Sequence, residues 1–317
     1  MNENNIVQKL NKNYEKALKF LHNNNELNDT KKIKLMKIII DKYNNKLRQI
    51  NQSPMQVVSN NINNNNVNNI IINKNNKSAL LIGINYYNTR YRLNGCINDT
   101  KSVKNILLKQ GYTNITLLTD DGNKKPTKTN ILIEITNLLK YAKPGDTLFL
   151  LYSGHGSYCL DRNNDELNRN DQMIVSCDLK GLIDDDLKGI IDNYLKPGVS
   201  LFCLFDSCYS GSVLDLRYQN LDSLNNNNLT INNKETETKG NVIMISGCTD
   251  FQTSEDDYIN GAFNGALTWA FTNSYKPTIS WQTMMNNMRI LLKNNGYPQL
   301  PQLSSGKLID IKSIVNL

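Results

Sequence analysis

Short apolar runs alternate with amphipathic segments along most of the chain. The runs with the length and apolar content of buried strands are 78–84, 114–120, 146–154, 172–178, 199–207 and 241–248. The segments with a helical pattern are 98–111, 127–142, 267–275 and 283–296. Because this alternation, with continuously apolar strands, is typical of parallel sheets, it predicts an α/β fold whose sheet is covered by helices on both faces.

The N-terminal part of the chain follows a different pattern. Within 5–22 and 31–50, apolar residues recur three and four positions apart, which predicts two helices, either as an antiparallel hairpin or as a short coiled-coil element that finds a partner. Asparagine dominates residues 51–77 without any apolar period, so we expect a disordered linker there. The predicted organisation is a helical hairpin over 1–50, this linker, and a folded domain over 78–317.

Positive charge is concentrated before the predicted domain. Residues 1–77 carry 13 basic and 5 acidic side chains, a net charge of +8, whereas the remainder carries 23 and 24, a net charge of −1. A basic arm is one signature of nucleic-acid binding. Here the basic residues are mostly lysines spread around the two predicted helices, with little aromatic interleaving, which favours a solvated helix face and no nucleic-acid partner.

The sequence shows no sign of membrane insertion or secretion. No apolar run approaches the roughly 20 residues of a membrane span, and the N-terminus lacks the apolar core of a signal peptide. We therefore expect a cytoplasmic protein whose cysteines are reduced, mostly buried and inert. They form no CxxC pair, which argues against structural zinc. The six cysteines are Cys96, Cys159, Cys177, Cys203, Cys208 and Cys248.

Polar residues follow three of the predicted strands, in the sequences SGHG, FDSC and SGCTD. Parallel strands bring such ends to one edge of a sheet, where sites form. The chain has two histidines, His22 and His155, so imidazole chemistry in the folded domain must come from His155.

Cys208 and His155 therefore form a candidate catalytic pair. A thiolate at Cys208 would be a nucleophile once His155 takes its proton, and N–H groups near Gly156 and Cys208 would stabilise an oxyanion. The alternative is a hydrogen-bonded polar histidine and a core cysteine. The residues alone leave both interpretations open.

Five motifs follow one another in the folded part of the chain: ALLIGINYY, LNGCIND, YSGHG, FDSCYSG and SGCTDFQTS. Their order and spacing resemble those of the metacaspases, a branch of the caspase-like cysteine peptidases, and the likeness covers residues 78 to about 305. The resemblance implies a three-layer α/β sandwich with a mainly parallel caspase-like sheet, preceded by a helical N-terminal prodomain. It also implies a monomeric type I-like enzyme that hydrolyses peptide bonds, with His155 as general base and acid and Cys208 as nucleophile.

The resemblance further implies cleavage after arginine or lysine. The matching positions of the S1 pocket, which holds the residue before the cleaved bond, are Cys96, Asp99, Ser153 and Asp206. Carboxylates pair well with guanidinium and ammonium groups, which agrees with this implication. Taken alone, Asp99 reads as a cap of the following helix. One departure is Tyr209, because the family usually has histidine directly after the catalytic cysteine.

Acidic clusters occur in DRNNDELNRNDQ and LIDDDLKG. From the residues alone, they favour a solvated acidic loop. The resemblance instead implies activation by Ca²⁺, a hard cation that takes oxygen ligands. The implied ligands are Asp171, Asp184, Asp185 and Asp215. Because Asp215 lies seven residues beyond Cys208, calcium there would order the loop that carries the nucleophile.

A long polar interruption occupies residues 217–240. The resemblance implies a zymogen that processes itself in such a basic stretch, at Arg217, Lys234 or Lys239, although lysines in a polar loop are ordinarily just solvated. The alternative function is a catalytically weak scaffold that recruits partners through its N-terminal helices. The presence of both candidate catalytic side chains and both S1 aspartates argues against that alternative.

Overall fold

The computed structural model describes most of the chain after residue 74. The described residues are Leu35, Ile38, Lys42, 75–160, 170–208, 210–211, 213–220, 230–232, 235–247, 256–259 and 262–317. The chain divides into two units, Met1–Ile72 and Asn73–Leu317. The three described residues of the first unit are helical. The predicted hairpin otherwise lies outside the described residues, as does nearly all of the predicted linker.

The second unit contains thirteen strands and five helices among its described residues. The strands are β1 (Lys77–Gly83), β2 (Asn114–Thr119), β3 (Thr147–Ser153), β4 (Gly156–Leu160), β5 (Asn170–Val175), β6 (Gly181–Ile183), β7 (Ser200–Asp206), β8 (Tyr218–Asn220), β9 (Thr230–Ile231), β10 (Asn241–Ser246), β11 (Asp256–Ile259), β12 (Ala262–Gly265) and β13 (Gln302–Ser305). The helices are α1 (Cys96–Lys109), α2 (Lys128–Lys140), α3 (Asp184–Tyr194), α4 (Ala266–Ser274) and α5 (Trp281–Asn294).

An eight-stranded sheet forms the centre of this unit, in the order β2-β1-β3-β7-β10-β13-β8-β9. The first five strands pair in parallel, and the last three join antiparallel. The five parallel strands correspond to five of the six predicted strands. The prediction of a mainly parallel sheet is therefore confirmed.

The predicted strand at 172–178 is real but does not belong to this sheet. It forms β5, which pairs antiparallel with β4 and β6 in a separate three-stranded sheet. The physical reason lies in the connection from β3 to β4, which is only Gly154 and His155. A parallel crossover needs a dozen or more residues, so β4 cannot pair in parallel with β3. It leaves the central sheet, and β5 then folds back to pair with it.

Two apolar clusters cover opposite faces of the central sheet. One contains Leu80 and Ile82 of β1 and packs against α2 and α3, while the other contains Ala79 and Leu81 and packs against α1, α4 and α5. Successive residues of a strand point to opposite faces, so the continuously apolar sequence of β1 serves both clusters. This arrangement is the predicted three-layer sandwich. No helix among the described residues is long and apolar enough to cross a bilayer.

Strand register aligns three strand ends at the carboxyl edge of the sheet. Gly83 of β1 lies opposite Ser153 of β3, which in turn lies opposite Asp206 of β7. The segments that follow these three residues therefore leave the sheet side by side, as the sequence predicts for SGHG and FDSC.

At the opposite edge, Asp146 stabilises the start of two strands, which leads to a prediction about folding. Its buried carboxylate accepts hydrogen bonds from the main-chain N–H groups of Asn76 (2.9 Å) and Lys143 (2.8 Å). We expect Asp146→Ala to lower the free energy of unfolding by about 1–3 kcal/mol, because these donors lose their acceptors. Urea denaturation measures this loss, and Asp121→Ala, at an exposed position, is the control. A loss no larger than that of the control would contradict this role.

Candidate active site

A cavity of about 350 Å³ opens at the carboxyl edge of β3 and β7. It is lined by both members of the candidate catalytic pair and by three of the four predicted S1 residues. The lining residues are Arg92, Leu93, Asn94, Cys96, Ser153, Gly154, His155, Asp206, Cys208 and Gly265. The candidate residues thus line one cavity at the carboxyl edge of parallel strands, where a site is expected.

Cys208 follows the last residue of β7 by two positions and is partly exposed. Its main chain lies directly against Gly156, the first residue of β4. A Cβ atom at position 156 would overlap the Cys208 carbonyl oxygen and would lie 3.3 Å from the Cys208 nitrogen. Only glycine permits this approach, which brings the turn after β3 against the turn after β7.

His155 is oriented by the loop that follows β1. Its Nε2 atom lies 2.7 Å from the main-chain carbonyl oxygen of Tyr91. A carbonyl oxygen only accepts hydrogen bonds, so this contact assigns the ring proton to Nε2 and leaves Nδ1 as an acceptor. The imidazole also packs on the Tyr86 ring, with centroids 4.6 Å apart.

Two buried carboxylates belong to this site, and one of them, Asp206, lines the cavity. Asp99 accepts a hydrogen bond from the Ser153 hydroxyl (2.6 Å) and another from the Gly265 N–H (3.0 Å). Asp206 accepts one from the N–H of Thr268, in the first turn of α4 (2.8 Å). The N-terminal end of a helix carries partial positive charge, so the start of α4 stabilises both carboxylates.

The interpretation of Asp99 as a helix cap is wrong. Helix α1 begins at Cys96 with Gly95 as its N-cap, so Asp99 already lies within the first turn. Its carboxylate bonds to Ser153 and Gly265 across the site. Cys96, at the start of α1, is buried and lines the cavity.

Gly265 is a site residue that the sequence analysis missed. A Cβ atom there would overlap the Asp206 carboxylate and would lie 2.9 Å from Asp99 Oδ2. Glycine at this position lets both carboxylates approach the start of α4. Glycine is common in the turns that precede helices, so its position in the sequence did not indicate this role.

The candidate calcium ligands occupy three separate segments. Asp171 lies on β5 and is buried, and Asp184 begins α3 and is also buried. The Asp184 carboxylate accepts hydrogen bonds from the N–H groups of Gln172 and Asp185. Asp215 is buried and has a φ of +42°. The interpretation of a solvated acidic loop is therefore wrong for Asp171 and Asp184, because one lies on a buried strand and the other begins a helix whose apolar stripe draws its first turn inward.

Carboxylate oxygens suit Ca²⁺, so the donor chemistry of these residues fits the ion. Among the described residues, however, no three acidic, histidine or cysteine side chains converge as a metal-binding group. The acidic segment 161–169 lies outside the described residues.

The described residues of segment 217–240 include two short strands. These are β8 and β9, which pair at the edge of the central sheet. Arg217 donates a hydrogen bond to the Glu235 carbonyl, and Lys239 donates one to the Asp192 carbonyl (2.7 Å). Lys234 and Tyr209 lie outside the described residues.

Comparisons with known proteins agree with this architecture. The profile of the metacaspase peptidase C14 domain matches residues 77–217. Metacaspase-1A of Aspergillus oryzae is 37% identical over 293 residues, covering 74% of this chain and 70% of that protein. Metacaspase-1 of Meyerozyma guilliermondii is 36% identical over 286 residues, covering 72% and 69%.

The fold also occurs among solved structures. A crystal structure of a protein from Geobacter sulfurreducens superimposes with a TM-score of 0.56, covering 76% of this chain and 98% of that one, at 24% identity. At this identity the match supports the fold alone. The sequence relatives and the domain match show the family as well as the fold: this chain belongs to the metacaspases, a family of caspase-like cysteine peptidases.

Proposed function

We propose that this metacaspase is a calcium-dependent endopeptidase that cleaves after arginine or lysine through a dyad of Cys208 and His155. The observation that carries the proposal is that one cavity is lined by both side chains and by the buried Asp206 carboxylate. A nucleophile, a base and a negatively charged subsite are the three elements that such a reaction needs.

In the proposed reaction, His155 Nδ1 takes the proton of the Cys208 thiol, and the sulfur forms a bond with the carbonyl carbon of the substrate. N–H groups near Gly156 and Cys208 stabilise the oxyanion. The imidazolium then gives its proton to the leaving amine as the C–N bond breaks, which leaves a thioester. Water, deprotonated by His155, attacks this thioester, and the C–S bond breaks to restore the thiol.

The subsite for the residue before the cleaved bond is formed by Cys96, Asp99, Ser153 and Asp206. A guanidinium or ammonium group entering from the cavity would meet negatively charged carboxylates that N–H donors already hold in place. An acidic side chain would be repelled there, which distinguishes this site from one that prefers aspartate.

The proposed calcium ligands are Asp171, Asp184, Asp185 and Asp215. When bound, Ca²⁺ supplies positive charge that offsets repulsion among these carboxylates. Asp215 lies seven residues beyond Cys208, so calcium bound there would order the segment that carries the thiol. Self-cleavage in segment 217–240 would then follow activation, at Arg217, Lys234 or Lys239.

Replacing either member of the dyad tests the catalytic roles. We expect Cys208→Ala and His155→Ala each to lower kcat on an arginyl reporter peptide at least about 1,000-fold, because nucleophile and base act as a unit. Cys177→Ser is the control, since burial raises the pKa of that thiol to about 11 and keeps it protonated at neutral pH. Cys208→Ala protein that keeps a tenth of the activity would refute the dyad.

Neutralising the subsite carboxylates tests the specificity. Asp99→Asn and Asp206→Asn retain an acceptor oxygen for their N–H donors but lose the charge. We expect kcat/KM for arginyl and lysyl reporters to fall about 10- to 100-fold, as the loss of one or two charged hydrogen bonds predicts. A reporter with a neutral residue at this position should change little, and Asp121→Asn serves as the remote control. An equal fall for all reporters would contradict a role in specificity.

Calcium dependence and self-processing are tested together. We expect wild-type protein to hydrolyse the reporter and to cut its own chain only when calcium is added, and Cys208→Ala to stay intact in both conditions. Reporter assays and mass spectrometry of the fragments provide the readouts. Full activity in excess chelator would remove the calcium requirement, and identical fragments from both proteins would rule out self-processing.

A further inference from the structure

We propose that the hydroxyl groups of Tyr86 and Tyr152 position His155 for catalysis by joining its main chain to strand β5. These two residues are called the tyrosine pair below. The inference rests on the proposed dyad, because the position of His155 matters to the reaction only if its imidazole takes the thiol proton.

The tyrosine pair contacts both polar main-chain groups of His155. The Tyr86 hydroxyl accepts a hydrogen bond from the His155 N–H (2.9 Å) and donates one to the Val175 carbonyl (2.6 Å). The Tyr152 hydroxyl donates to the His155 carbonyl (2.7 Å) and accepts from the Val175 N–H (3.1 Å), which also donates directly to the His155 carbonyl (3.0 Å). This assignment uses the single proton of each hydroxyl once, and the two oxygens lie 3.1 Å apart.

The surrounding backbone is shaped around these hydroxyls. Tyr86 has a φ of +51°, a left-handed conformation that is unfavourable for tyrosine and persists only where its surroundings hold it. A Cβ atom at Gly154 would lie 2.7 Å from the Tyr152 hydroxyl oxygen and 2.9 Å from that of Tyr86. The strained backbone of Tyr86 and the absence of a side chain at Gly154 therefore both allow the pair to lie beside His155.

The chemistry of the pair suits a fixed support. Both side chains are fully buried, and burial raises the pKa of each hydroxyl well above its usual value. The hydroxyls thus remain protonated donors at any pH at which the peptidase works. Buried polar groups are costly to leave without partners. Loss of the Tyr86 hydroxyl would remove the acceptor of the His155 N–H, and loss of the Tyr152 hydroxyl would leave the His155 carbonyl with the weaker support of the Val175 N–H.

The pair supports His155 from the face of the sheet opposite to the Ser153 and Asp99 side chains. Tyr152 and Ser153 are consecutive residues of β3, so their side chains lie on opposite faces of the sheet. Tyr152 belongs to the apolar cluster under α2 and α3, whereas the Ser153 hydroxyl bonds to Asp99 on the other side. Removing a tyrosine hydroxyl should therefore affect the chemical step and leave substrate binding nearly unchanged.

The variants Tyr86→Phe and Tyr152→Phe test the inference, because each keeps the ring and removes one hydroxyl. We expect kcat on the arginyl reporter to fall about 10- to 100-fold in each, with KM within about twofold, because misplacing a catalytic group costs rate more than binding. Tyr112→Phe is the matched control. Tyr112 is also buried, but its hydroxyl has no hydrogen-bond partner among the described residues, so kcat should not change.

A second measurement separates this inference from the dyad itself. Alkylation of Cys208 by iodoacetamide, followed across pH by mass spectrometry of the full chain, reports the thiolate directly. We expect His155→Ala to change the pH profile, and the two Phe variants to shift it toward that of His155→Ala. Wild-type profiles in both Phe variants, with His155→Ala altered, would overturn the inference and leave the dyad standing. An unchanged profile in His155→Ala would overturn both.

Folding is checked in the same samples by circular dichroism. A fall in kcat that merely follows the folded fraction would count against a positioning role. If one Phe variant does not fold, the other decides, because each hydroxyl binds a different main-chain group of His155.

Discussion

The close approach of Gly156 to the Cys208 main chain is the constraint on which the site depends. A side chain at position 156 would overlap the Cys208 carbonyl oxygen, so the two turns can meet only at a glycine. Because β3 and β7 pair in parallel with Ser153 opposite Asp206, the two turns leave the sheet side by side. The imidazole and the thiol thereby share one cavity although they belong to different strands.

The same edge of the sheet also holds two buried carboxylates, those of Asp99 and Asp206. Like charges buried near each other are costly unless donors surround them. Asp99 and Asp206 find those donors in the N–H groups at the start of α4, and Gly265 allows the close packing that this requires. The cation of the proposed arginyl or lysyl substrate would then meet carboxylates whose positions are already fixed, a form of preorganisation that favours binding.

The sequence predicted what depends on side-chain pattern and missed what depends on main-chain atoms. Continuous apolar strands and their polar ends were enough to predict the parallel sheet and to bring His155 and Cys208 to one edge. The Tyr91 carbonyl that orients the imidazole has no residue-type signature, so no pattern could have revealed it. Strand β5 was assigned to the wrong sheet because apolar periodicity does not show which partner a strand pairs with.

Strand β3 shows how one short segment serves two tasks. Its side chains alternate between the faces of the sheet, so Tyr152 is directed toward the layer that supports His155 and Ser153 toward the layer that holds Asp99. The next residue, Gly154, adds no side chain on either face, and the chain then turns to present the imidazole. Because the two tasks use opposite faces, a substitution that tunes the proposed specificity pocket need not disturb the support of the proposed base.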